Sequence, residues 1–170
     1  MKVIPAIDII GGKCVRLVKG NFKSKKIYSS NPLEIAQNFQ KAGFRWLHLI
    51  DLEGAKKGKI KNWKTIEKIS KITNLLNEFG GGIKDERDVK KLLDLRVDKV
   101  ILGSMALKET AEFKRIVKKF RDKIIVAVDI LGKRIYYRGW QKEVQKEISS
   151  FLENLIKIGV KTIICTDIEK

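Results

Sequence analysis

The chain has little with which to build a disulfide framework or a cysteine–histidine metal centre, having two cysteines, Cys14 and Cys165, and one histidine, His48. The cysteines are too few and too far apart for either pattern. Both lie in apolar, strand-like runs and read as buried thiols, and no metal or other cofactor is expected. Also absent is any apolar run approaching the ~18 residues of a membrane span. The start, Met1-Lys2-Val3-Ile4-Pro5, enters a strand with no apolar leader or small-residue cleavage site. These absences point to the cytosol and away from a membrane.

Acidic residues are scarce as well: 20 Asp and Glu stand against 37 Lys and Arg, a formal charge of +17. A basic surface suits nucleic acid when the charge gathers on one face with aromatics between. Here lysines are spread along every helical segment, as at Lys64, Lys68 and Lys71 or Lys114, Lys118 and Lys119. That spread reads as a solvated basic surface and argues against a nucleic-acid partner. Its field would still attract a phosphorylated small molecule. With 170 residues and 44% hydrophobic content, the length suits one globular domain.

What the chain does have is an internal repeat. Ala6-Ile7-Asp8-Ile9-Ile10-Gly11-Gly12-Lys13 is echoed by Ala127-Val128-Asp129-Ile130-Leu131-Gly132-Lys133, with the two aspartates 121 residues apart. In the same order, the segment from Gly43 to Glu53 is echoed by the segment from Gly159 to Glu169, with Asp51 and Asp167 116 residues apart. A period this long marks a duplicated half-domain rather than a solenoid. Residues 1–121 form the first half and 122–170 the start of a second. The first copy continues to Gly-rich turns at 80–82 and 103–104, which the second does not reach.

Short apolar runs alternate with helical periodicity throughout. Strands are expected at Val3–Asp8, Trp46–Leu52, Leu75–Phe79, Lys99–Leu102, Ile124–Asp129 and Thr162–Asp167. Helices are expected between them, one starting at Asn31-Pro32 and another capped by Asp85. In a further helix Trp63, Ile66, Ile69 and Ile72 are expected on one apolar face. Strands that are apolar throughout and separated by helices describe a parallel sheet covered on both faces. An open doubly wound sheet and a closed β/α barrel both use this pattern. Duplication favours the barrel, because a first copy with four strands doubles to the eight that close one. The expected fold is therefore a (β/α)8 barrel of two half-barrel repeats, represented by about six βα units. After strands one and five, short polar turns lead into extended segments that read as ribbons over the mouth, with Trp140 placed either to cover a flat ligand or to serve as a packing residue.

The acids Asp8, Asp51, Asp129 and Asp167 sit at expected strand C-terminal ends, where barrel ligands bind. Asp8 and Asp129 lead, since equivalent repeat positions place them across the mouth as base and acid. An aspartate at a strand end also commonly caps the next turn. Gly80-Gly81-Gly82 before the helix at Asp85, and Gly103-Ser104 at the next strand end, suit an anion cradle. A lone strand histidine such as His48 is commonly structural. Asp51, three residues on, falls on the opposite face of an ideal strand.

Assembled, these segments resemble the histidine-biosynthesis ProFAR isomerase family. The matching residues are Ile4-Pro5-Ala6-Ile7-Asp8 with Gly12-Lys13-Cys14-Val15-Arg16-Leu17, Leu47-His48-Leu49-Ile50-Asp51-Leu52, Gly80-Gly81-Gly82-Ile83, Val100-Ile101-Leu102-Gly103-Ser104, Val126-Ala127-Val128-Asp129 and Gly139-Trp140. The related cyclase-type synthase usually opens Ala-Cys-Leu-Asp, where this chain has Pro5-Ala6-Ile7-Asp8. The resemblance implies an aldose–ketose (Amadori) rearrangement of a doubly phosphorylated substrate without metal or cofactor. By it, Asp8 is the base taking the C2 proton and Asp129 the acid assisting ring opening. Gly81, Gly82, Gly103 and Ser104 would hold a phosphate, and His48 and Arg16 would line the site. A bifunctional relative that also isomerises phosphoribosylanthranilate and a non-catalytic phosphate-binding half-barrel are the alternatives.

The chain departs from the family at Lys84, where the family has Arg, at Asn77 and Glu78, where it prefers an apolar residue and Gln, and at Arg96, where it has Gly. It also stops at Lys170, before strands seven and eight. The expectation is a fragment or truncated gene, inactive alone and able to self-associate through open barrel edges.

Overall fold

The computed structural model describes residues 3–18, 20–132, 134–137 and 142–169. In chain order its elements are β1 (Ala6–Ile10), β2 (Lys13–Val18), β3 (Asn21–Ser29), α1 (Pro32–Lys41), β4 (Trp46–Asp51), α2 (Leu52–Lys57), α3 (Trp63–Ile72), β5 (Leu76–Gly80), α4 (Glu86–Asp94), β6 (Lys99–Leu102), α5 (Ser104–Lys108), α6 (Ala111–Phe120), β7 (Ile124–Leu131), β8 (Arg134–Tyr137), β9 (Lys142–Val144), α7 (Ile148–Ile158) and β10 (Ile163–Asp167). Strands β1, β4, β5, β6, β7 and β10 pair side by side in parallel, in that order. Helices α1, α3, α4, α6 and α7 fall on the connections between them. This is an α/β fold on a mostly parallel sheet, consistent with the β/α-barrel family. Among the described residues β1 and β10 do not pair with each other.

Strand alternation divides this sheet into two faces. Ile9, Leu47, Leu49, Phe79, Val100 and Val126 are fully buried against the helices. Ile66, Ile69, Val89, Leu92, Phe113, Ile116, Phe151 and Leu155 meet them from the helix side in the same core. Each such side chain contributes about 2 kcal/mol of hydrophobic stabilisation. Caps fix the helix starts: Asn31 and Asp85 accept from the backbone N–H groups of Glu34 and Asp88. In α3 the expected four-residue stripe fails at its end, because Ile72 is 55% exposed. Steps of three residues each fall short of a full turn, so nine residues carry Ile72 about 180° round from Trp63.

Ribbons follow both β1 and β7. Asp8, Ile9 and Ile10 pair with Val15, Cys14 and Lys13. Asp129, Ile130 and Leu131 pair with Tyr136, Ile135 and Arg134. On the parallel side, Asp8 is in register with Ile50 and Asp129 with Thr166, while the next residues face Asp51 and Asp167. Asp8 and Asp129 thus occupy equivalent places in two equivalent hairpins. Both stand two residues before the strand's end rather than at it, because the ribbons prolong β1 and β7. Lys133 and the Arg138–Gln141 stretch containing Trp140 lie outside the described residues.

Cys14 is buried as expected, but Cys165 is exposed. It sits on the outward face of β10, the outermost parallel strand, where no helix among the described residues follows to cover it. No described helix is long and apolar enough to cross a membrane.

Candidate active site

The sheet face turned away from the helices is lined by alternate residues of each strand. Asp8 of β1, His48 and Ile50 of β4, Gly80 of β5, Ile101 of β6, Ala127 and Asp129 of β7, and Ile164 and Thr166 of β10 open onto one cavity of about 580 Å³. Phe22, Tyr136 and Tyr137 from the two ribbons also line it, as do Lys84 and Lys108. Gly81, Gly82, Gly103 and Ser104 stand on the same wall. Seven of the eight candidate residues therefore share one cavity, with four strand-to-strand steps separating Asp8 from Asp129. Arg16 is the exception: it does not line the cavity and is exposed on β2. It remains close enough to act on the Asp8 carboxylate.

Burial pushes the Asp8 carboxyl above its ordinary value of 3.8, against the opposing pull of His48 and then Arg16. A raised value means that the folded chain holds the proton more tightly than the unfolded one. Ionised Asp8 therefore costs stability above its raised pKa, and that cost vanishes as the pH falls towards the unfolded value. Asp8→Asn is accordingly expected to raise the melting temperature at neutral pH, with the gain shrinking on acidification towards about pH 4. An unchanged or lowered melting temperature at neutral pH contradicts this. The neighbouring Cys14 thiol is pushed up to about 11 by burial and then by Asp8. It stays protonated and inert near neutrality.

Asp51 and Asp167 do not join Asp8 and Asp129 on the cavity wall. Asp51 is the more deeply placed of the two. It is fully buried on the opposite face of β4. Its carboxylate accepts from the Gly54 N–H at 2.7 Å, the Lys61 N–H at 2.7 Å, the Asn62 N–H at 3.0 Å and Asn62 Nδ2 at 2.8 Å. Asn62 Oδ1 in turn accepts from the Gly12 N–H at 2.8 Å, tying the first ribbon's turn to this hub. Asp167 is exposed at the end of β10.

The glycine pair at 81–82 has a packing reason of its own. Gly81 has φ +108, and a Cβ there would lie 2.3 Å from the Asp51 carbonyl oxygen. Gly82 has φ +81, and a Cβ would lie 2.5 Å from the Lys59 carbonyl carbon. Both glycines let the loops after β4 and β5 touch, whatever else they contact. Gly103 has no such neighbour; Ser104 opens the short helix α5.

One buried group at this site shows in the sequence only as a family departure. Glu78 lies in register with His48, and His48 Nδ1 is 2.7 Å from Glu78 Oε1. Its alternation with Leu76 and Gly80 is the signal that places it on the cavity side.

A family model described as "Histidine biosynthesis protein" matches residues 2–170. The isomerase of Flavobacterium psychrophilum named 1-(5-phosphoribosyl)-5-((5-phosphoribosylamino)methylideneamino)imidazole-4-carboxamide isomerase is 43% identical over 171 residues, covering 100% of this chain and 71% of the relative. Proteins of the same name from Lactococcus lactis subsp. cremoris and Campylobacter concisus are 44% and 42% identical, covering all of this chain and 70% and 71% of theirs.

Proposed function

The chain belongs to the histidine biosynthesis protein family, and from that premise we propose that it is an aldose–ketose isomerase acting on ProFAR, the doubly phosphorylated ribosylamino compound that its relatives' names describe. The observation that carries this reading is the placement of Asp8 and Asp129 at equivalent hairpin positions on the wall of one cavity.

An Amadori rearrangement needs proton transfers at different atoms, of which ring opening and loss of the C2 hydrogen are the demanding ones. Asp129 donates to the ring oxygen as the aminoaldose opens, leaving a protonated imine. Asp8 takes the C2 proton, and the resulting enolamine becomes the aminoketose when a proton is returned at C1 and the C2 hydroxyl gives up its own. Atoms balance with no oxidant or added group. The burial that raises Asp8 brings its basicity nearer the working pH, the direction that favours a general base. Gly81, Gly82, Gly103 and Ser104 hold one phosphate, Lys84 and Lys108 add positive charge beside it, and His48 lies next to the reacting sugar. Arg16 acts from the ribbon through its charge.

The lack of pairing between β1 and β10 among the described residues favours a second element of the proposal. The 170-residue chain is an incomplete barrel, and turnover depends on covering the edges of those two strands, whether by further strands or by another copy. The test is to incubate ProFAR with the chain alone and with the part of the Flavobacterium psychrophilum relative that this chain does not match, following the ketose product. Product in the mixture and little with the chain alone is expected. No product in either overturns the isomerase reading, whereas rapid turnover by the chain alone overturns the dependence on covered edges.

A further inference from the structure

The Asp8–Asp129 assignment leaves one part-buried polar pair without a part in the proton transfers. His48 and Glu78 face each other across β4 and β5, in the same register row as Ala6 of β1. Glu78 is buried, at 7% exposure, with Lys99 of β6 in register on its other side. Its Oε1 lies 2.7 Å from His48 Nδ1. His48 lines the cavity, whereas Glu78, beside it in the sheet, does not. The imidazole therefore links a buried carboxylate to the cavity. It is also close enough to Asp8 to lower that carboxyl's pKa.

An ionised carboxylate can only accept hydrogen bonds, so Nδ1 carries the hydrogen that the pair shares. The bond made by one ring nitrogen decides the state of the other. We propose that Glu78 is a positioning residue: it fixes the His48 ring plane and keeps a proton on Nδ1, so that Nε2 alone is presented to a hydroxyl of the sugar chain beside Asp8. Part of this rests on the isomerase reading, since the hydroxyl belongs to its substrate; the fixed ring and Nδ1 proton do not. Ala6, the small residue on the other side of His48, leaves room for the ring to swing, and Glu78 removes that freedom.

His48 is the only histidine, so a chain labelled with nitrogen-15 histidine gives one imidazole signal set. Long-range proton–nitrogen correlation, recorded above the ordinary imidazole range of about 6.5, reads which nitrogen carries the proton. The wild-type chain is expected to carry it on Nδ1. Glu78→Gln, which keeps an acceptor oxygen, retains that signature, while Glu78→Ala drifts to the tautomer mixture of free imidazole. Adding ProFAR shifts the Nε2 signal in wild type and Glu78→Gln, and Glu78→Ala binds about tenfold more weakly, the worth of one hydrogen bond. A wild-type proton confined to Nε2 overturns the proposal without needing any variant to fold. So does an unchanged tautomer in a folded Glu78→Ala chain. If ProFAR moves the Gly103 and Ser104 amide signals but not Nε2, this inference fails and the isomerase reading stands. If it moves none of them even when the unmatched part of the Flavobacterium psychrophilum relative is present, the isomerase reading fails and, with it, the substrate half of this inference.

Discussion

Asp51→Ala is expected to remove ~4 kcal/mol or more of folding stability, a far larger loss than removal of either cavity aspartate would bring. Its carboxylate satisfies four donors: the backbone N–H groups of Gly54, Lys61 and Asn62, and the Asn62 amide. Each buried donor left without a partner costs about 1–3 kcal/mol. A domain has only about 5–15 kcal/mol in all, so a large fraction of the chain would unfold or lose the β4–α2 connection. Urea titration or a thermal scan measures this directly. Asp51→Asn is milder, because one oxygen remains, although its amide hydrogens would face N–H donors. A folded, fully stable Asp51→Ala chain contradicts the structural role of this carboxylate.

Asp8→Asn and Asp129→Asn are expected to act in the opposite way, each leaving the fold intact while lowering turnover by roughly 10²- to 10⁴-fold in protein with covered sheet edges. The double variant should lose less than the product of the two single losses, because the two proton transfers serve one reaction. Stability separates these residues from Asp51: Asp8→Asn gains stability near neutrality, because it removes a buried charge, whereas Asp51→Asn loses it. Either aspartate variant retaining wild-type turnover would remove it from the chemistry.

Much of the fold is legible in the sequence because it is local. Asn31 and Asp85 announce helix starts by satisfying free N–H groups within their own first turn, and apolar alternation around Leu47 and Leu49 assigns both faces of β4. The same alternation puts Asp8, His48 and Asp129 on one face. Other features depend on partners distant in sequence. Strand β3 is almost wholly exposed, so pairing with β2 rather than an apolar pattern makes it a strand. Helices α2 and α5, at six and five residues, are too short to display a period. The partners of Asp51 come from α2 and the segment that leads to α3, which no strand pattern reveals, and the demand for glycine at 81 comes from the backbone of residue 51. Glu78 is legible as a residue on the cavity-side face, but its bond to His48 requires the register between β4 and β5.

Release of hydrogen from C2 tests the central claim most directly. With ProFAR carrying deuterium at C2, protein with covered edges should turn over more slowly than with unlabelled substrate and pass the label to Asp8, and so to water. In Asp8→Asn both the turnover and the release of label should fall together by at least ~10². If Asp8→Asn releases deuterium at the wild-type rate, another group removes that proton, and the pair of aspartates facing one cavity is not what drives the reaction.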